Sequence, residues 1–185
     1  MPASRRREPA SDGRVPVWDA AVRLLHWLLA AGVLFDFVRD DGGLLHRQVG
    51  YVAVGAVLVR LLWSAWARGA NGCAALKPSV DETLAYVRNG APRTLAHDPL
   101  GVWMVWILWS LVLLLGVTGW MSRLDEFWGD ERLQRLHAWL ADGLRVAVVV
   151  HLAGVAAMSW KWRENLPVAM ITGRKRGDAQ PGDGP

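Results

Sequence analysis

Along the chain, apolar residues gather into four blocks, roughly residues 20–38, 44–66, 99–122 and 134–160, separated by stretches rich in Gly, Pro and charged side chains. Each block approaches or exceeds the ~20 residues that a helix needs to cross a bilayer. The pattern predicts an all-α integral membrane protein built as a four-transmembrane-helix bundle. Pro16 stands just ahead of the first block, where proline is tolerated. Residues 1–15 are polar, with Arg5, Arg6 and Arg7, and read as a disordered tail. The bundle is expected over residues 16–172, and the Gly- and Pro-rich end, residues 173–185, reads as a flexible tail. Arg23 and His26 interrupt the first block and no small-residue cleavage site follows, which argues against a cleaved signal peptide.

The connection from about residue 67 to 98 is too long for a tight turn. Within it Leu76, Val80, Leu84 and Val87 recur at three- and four-residue spacing. That spacing suits a short amphipathic helix on the membrane surface, and an ordered loop accounts for it equally well.

Composition sharpens this picture. Hydrophobic residues make up 52% of the chain, above the roughly 45–50% of soluble domains, while charged tails hold the mean hydropathy to +0.17. The single cysteine, Cys73, excludes an internal disulfide, a CxxC zinc site and the CxxCH attachment of a c-type haem. A net charge of +4 raises the question of nucleic acid, but the Lys and Arg form no stripe interleaved with aromatics, so no nucleic-acid partner is expected. They flank the apolar blocks instead. Thirteen lie in the two tails and the 67–98 connection, against five (Arg39, Arg47, Arg123, Arg132, Arg135) around the two hairpins. Because basic loops stay on the cytoplasmic side, both termini are expected in the cytoplasm.

Four of the five histidines, His26, His46, His137 and His151, fall inside the predicted spans. An ionisable side chain there is costly and signals a partner. His137 and His151 are fourteen residues apart, which places them within about 40° of one helix face and ~21 Å apart along the axis. With alternating helix directions, His46 matches the depth of His137 near the outer surface, and His26 matches His151 towards the cytoplasm. Two imidazoles converging from different helices suit bis-axial haem ligation, giving one site per pair. Iron with both axial positions filled has no vacancy for oxygen, so electron transfer is the expected role.

Gly50 follows His46 by four residues and Gly154 follows His151 by three, on the same faces, where small residues would let a flat macrocycle approach. Close helix packing, as for the pairs Gly50/Gly55 and Gly116/Gly119, explains them equally well. Arg60 and Arg23 lie near the level of the inner pair and either pair with haem propionates or snorkel to lipid phosphates. Asp36 reads as interfacial rather than catalytic, and His97 as interfacial or capping. Trp103, Trp106 and Trp109, three residues apart, read as a lipid-facing stripe rather than an electron relay.

The stretches VWDAAVRLLHW, LLHRQVGY with VRLLW, HAWLADGLRVAVVVHLAG and ENLPVAMITGRKR together resemble the bacterial cytochrome b561 and nickel-iron hydrogenase cytochrome b subunit family, over about residues 16–176. The resemblance implies a bacterial inner-membrane protein binding two haems b, with His26, His46, His137 and His151 at the ligand positions. It also implies exchange of electrons between the quinone pool and a redox partner, such as a soluble cytochrome or another oxidoreductase, in respiratory electron transport. Hydrogenase subunits of this kind add a further helix after the core, and this sequence shows none. Superoxide oxidation at the outer face is an alternative within the family. A His-based metal-ion transporter is an alternative of another class, and would cluster its histidines at one depth with carboxylate or sulfur ligands.

Overall fold

The one proline in the four apolar blocks, Pro99, stands at the first position of the third, where proline is tolerated, so each block can run as unbroken helix, and an acidic side chain stands just before three of them to accept first-turn N–H groups. The computed structural model describes residues 13–39 and 42–177. In chain order it contains strand β1 (Arg14–Pro16) and helices α1 (Ala20–Val38), α2 (Leu44–Trp66), α3 (Val80–Arg88), α4 (Pro99–Met121), α5 (Glu131–Lys161) and α6 (Leu166–Thr172). Strand β2 (Arg174–Arg176) follows. The four helices α1, α2, α4 and α5 are each long and apolar enough to cross a membrane.

Capping sets where they begin. Asp19 accepts from Val22 N at 2.8 Å, Asp98 from Gly101 N at 2.9 Å, and Asp130 from Arg132 N at 2.7 Å. The Asp130 cap carries α5 back to Glu131, ahead of the boundary near residue 134 that hydropathy alone suggests.

The exterior of the bundle is as apolar as its interior. Leu24, Leu34, Val38, Leu62, Val149 and Leu152 are all exposed, an arrangement that water penalises and hydrocarbon requires. Inside, Ala53 and Val57 of α2 meet Trp109 and Val112 of α4 and Leu144 of α5. A Cβ at Gly116 would collide with Val54, so glycine is what lets α4 lie this close to α2. α1 packs along α2, α2 against α4 and α4 against α5, whereas α5 stands off from α1 and α2. That looser seam is where the histidines meet.

The bundle has two distinct ends. The hairpin end carries the connections after α1 and after α4. The terminal end carries β1, β2, α3 and α6. There β1 pairs antiparallel with β2, Arg14 opposite Arg176, so the ordered chain runs past both of the expected boundaries at residues 16 and 172. The expected disorder of the remaining tail residues, 1–12 and 178–185, lies outside the described residues. Gly173, at φ +77°, ends α6 and receives the N–H groups of Val17 and Trp18 on its carbonyl. Glu164 accepts from Arg93 Nε at 3.0 Å and Nη2 at 3.1 Å, and from Arg176 N at 2.7 Å. The closing ENLPVAMITGRKR segment is thus a clasp holding both ends of the chain to the 90–96 loop.

The connection after α2 does form a surface helix. Ser79 caps α3, whose Val80, Leu84 and Val87 are exposed in the manner of an interfacial helix. Leu76 is not part of it. It turns into the core beside Trp109, in a short helical turn at Cys73–Leu76. The tryptophan stripe on α4 is exposed at Trp103 and Trp106, as expected of a lipid-facing one, and departs from that expectation at Trp109. Trp103 donates to Thr83 Oγ1 at 3.1 Å and Trp106 to the Leu76 carbonyl at 2.7 Å, and Trp109 is buried. The cause is the 67–98 connection, which folds back over that face of α4 and supplies acceptors to its indoles.

Candidate functional site

The periodicity of α5 puts His137 and His151 on one side of the helix, one near each end of the bundle. Across the seam, α2 presents His46 close to the hairpin end and α1 presents His26 closer to the terminal end. The rings meet in two pairs. His46 and His137 have centroids 6.3 Å apart with ring planes at 86°, and His26 and His151 are 6.5 Å apart at 59°. All four side chains are half-buried.

These spacings can be tested against a metal between the rings. An imidazole nitrogen lies ~2 Å from a first-row metal and about 1 Å from its own ring centre, so two rings facing across one ion have centroids about 6 Å apart. Both pairs match. The rings are not parallel, at 86° and 59°, so they do not stack face to face, and separate helices hold the two members of each pair. A Cβ built at Gly50 or at Gly154 would meet nothing within 4 Å, so no neighbouring helix presses on either glycine. Gly116 behaves in the opposite way, colliding with Val54, so among these glycines Gly116 serves close helix packing and Gly50 and Gly154 border open space. The residues present therefore fit a haem at each level. Among the described residues no group of three His, Cys, Asp or Glu side chains is placed to hold a metal ion.

The hairpin-end histidines have partners that sequence reasoning missed. His137 Nδ1 lies 2.7 Å from Thr118 Oγ1, and the Thr118 hydroxyl donates to the carbonyls of Leu114 and Leu115. A Thr118 hydroxyl engaged with those carbonyls can accept from His137, which matches the tautomer with its proton on Nδ1 and a free lone pair on Nε2. His46 Nδ1 lies 3.3 Å from Asp36 Oδ1. Asp36 was recognisable as a carboxylate inside a span, but its nearness to His46 depends on how the turn after α1 closes.

The arginines are engaged elsewhere. Arg23 Nη1 donates to the Ile171 carbonyl at 2.6 Å, tying α1 to α6. Arg60 is buried, so it does not snorkel; its guanidinium donates to Ser64 and lies 5.9 Å over the Trp109 ring. Its position beneath the 73–76 turn explains how α2 tolerates it. His97 packs its ring on Trp18 at 4.6 Å, while Asp98 is the residue that caps α4. Its Nδ1 is out of reach of solvent and has no hydrogen-bond partner among the described residues. Burial, reinforced by the nearby Arg60 and Lys175 charges, pushes its pKa down to about 4, which leaves it neutral near pH 7.

Residues 17–173 match the family model described as prokaryotic cytochrome b561. No curated protein matches the chain. The matched span begins just after β1 and closes at the Gly173 cap, so it takes in all four histidines and the Arg93–Glu164 pair but neither strand of the β1–β2 ladder.

Proposed function

Because the chain belongs to the prokaryotic cytochrome b561 family, a family of membrane b-type cytochromes that transfer electrons, we propose that it holds two haems b and conducts electrons across the bilayer. The electrons pass between the quinone pool and a redox partner, as part of respiratory electron transport. The observation that carries this reading is the pair of histidine couples, 6.3 Å and 6.5 Å between ring centres, stacked at two depths along α5. Bound haem supplies a reversible one-electron couple, and with two imidazoles on each iron there is no open position for oxygen.

In this reading His46 and His137 hold the haem at the hairpin end, and His26 and His151 hold the one at the terminal end. Gly50 and Gly154 leave room for the macrocycle edges. Arg23 and Arg60 are assigned to the fabric of the terminal end rather than to propionates, since their guanidinium groups already serve Ile171 and Ser64. The excess of Lys and Arg at the terminal end supports a cytoplasmic location for it, with the hairpins facing the outer side of the bacterial inner membrane. Apolar side chains around α1, α2, α4 and α5 contact lipid.

The quinone link is tested by mixing the oxidised, haem-loaded protein anaerobically with a short-chain quinol in lipid nanodiscs. Growth of the reduced b-type band is the expected result. A loaded protein that dithionite reduces and no quinol reduces would contradict this end of the conduit.

A further inference from the structure

Asp36 and His46 stand on opposite sides of the turn between α1 and α2, ten positions apart in sequence. Asp36 Oδ1 and His46 Nδ1 approach to 3.3 Å. Both atoms are out of reach of solvent, and neither has a hydrogen-bond partner; their mutual angle falls short of a hydrogen bond. Leaving a buried carboxylate oxygen and a buried ring nitrogen each without a partner is costly, and each is the nearest remedy for the other. A small rotation of the ring aligns them, and such bonds commonly tighten once a ligand seats the side chain.

The second ring of this pair is held in the same sense. His137 Nδ1 lies 2.7 Å from Thr118 Oγ1, and the tautomer that donates to this hydroxyl leaves Nε2 free. The terminal-end pair lacks this feature, because neither His26 nor His151 has a hydrogen-bond partner among the described residues.

We infer that Asp36 is a positioning residue for the haem at the hairpin end: its carboxylate accepts the Nδ1–H of His46, fixes the tautomer that presents Nε2 to the iron, and makes that imidazole a stronger donor. This rests on the assignment of His46 and His137 as axial ligands. Histidines that bind metals very often donate their other N–H to a carboxylate, which orients the ring and raises its basicity. A more basic axial ligand, with a fixed negative charge behind it, favours the ferric over the ferrous form. Asp36 therefore lowers the reduction potential of the hairpin-end haem and leaves the other haem untouched, so the two differ by chemistry built into the helices.

The test is a potentiometric titration of the haem-loaded protein in detergent, with haem counted by pyridine haemochrome and ferric g-values read by electron paramagnetic resonance. Asp36→Asn is expected to keep both haems and to raise one of two one-electron midpoints by about a tenfold change in equilibrium constant, ~59 mV. The g-values of that same haem move with it, and Asp36→Glu restores part of the shift. Two unchanged midpoints with both haems retained would overturn the role of Asp36. If Asp36→Asn does not fold, Asp36→Glu alone must move one midpoint, and its failure to do so overturns the proposal equally. His46→Ala separates this from the underlying ligand assignment. Loss of one haem there, with midpoints unmoved in the Asp36 variants, sinks only the positioning role. Retention of both haems sinks the ligand assignment and the proposal with it.

Discussion

Replacing His151 with alanine is expected to remove one haem and leave the other, so that the reduced-minus-oxidised b-type absorbance of the purified variant falls by about half. The ring of His151 pairs with that of His26. His137 sits about four helical turns away on α5, too far to compensate. Because each pair acts as a unit, the double variant His26→Ala/His151→Ala should lose no more haem than either single one. The remaining haem should stay low-spin, since His46 and His137 keep their own partners at Asp36 and Thr118. Visible spectra together with haem quantitation would check both statements. Loss of both haems from His151→Ala alone would mean that the two levels do not load independently.

The second large effect concerns stability, at the clasp of the terminal end. Glu164 and Arg93 form a two-pronged ion pair whose side chains are only 8% and 17% exposed, and Arg176 adds its backbone N–H to the same carboxylate. Breaking a buried pair by removing one charge leaves the other stranded, at a typical cost of about 3 kcal/mol. Glu164→Gln should therefore lower thermal stability in detergent and expose the β1–β2 ladder to proteolysis, while haem content stays at the parent level. Its pH dependence has a definite sign. Burial pushes the Glu164 carboxyl up, but the hydrogen bonds from Arg93 and Arg176 outweigh it and hold the group below its ordinary value near 4.5. A carboxylate depressed in the folded state stabilises above its unfolded value and loses that contribution as the pH falls through the folded one. The parent should thus loosen at its terminal end only in acid below pH 4.5, and Glu164→Gln should show less of that acid dependence. A variant as stable as the parent at neutral pH would refute the clasp.

Which features were legible in the sequence follows from how local they are. Four spans, their alternating directions and the depth match of the histidines depend only on helix rise and apolar run length, and these are read directly from residue spacing. The α3 helix was half legible, since Val80, Leu84 and Val87 keep helical period while Leu76, in the same period, is pulled into the core by Trp106 and Trp109. The tryptophan stripe was legible in part: Trp103 and Trp106 are exposed as a lipid-facing stripe requires, whereas nothing in the spacing tells that Trp109 is buried or that a connection up to thirty residues earlier supplies acceptors to the other two indoles. The partners of the candidate ligands were not legible either. Thr118 and His137 are nineteen positions apart across a hairpin, and Arg93 and Glu164 seventy-one apart, so both depend on how helices and loops settle against one another. Arg60 read either as a partner of haem propionates or as a snorkelling cation, because sequence gives its depth and only packing gives its neighbours, Ser64 and Trp109.

The account rests on two haems held by two histidine pairs, and the most direct measurement of that is haem per chain. The detergent-purified protein, produced with ample haem supply, should give a low-spin b-type reduced-minus-oxidised spectrum and a pyridine haemochrome value of about two haems b per chain. One haem per chain, unchanged by further haem loading, would contradict one of the two pairs. No haem at all would contradict the conduit itself.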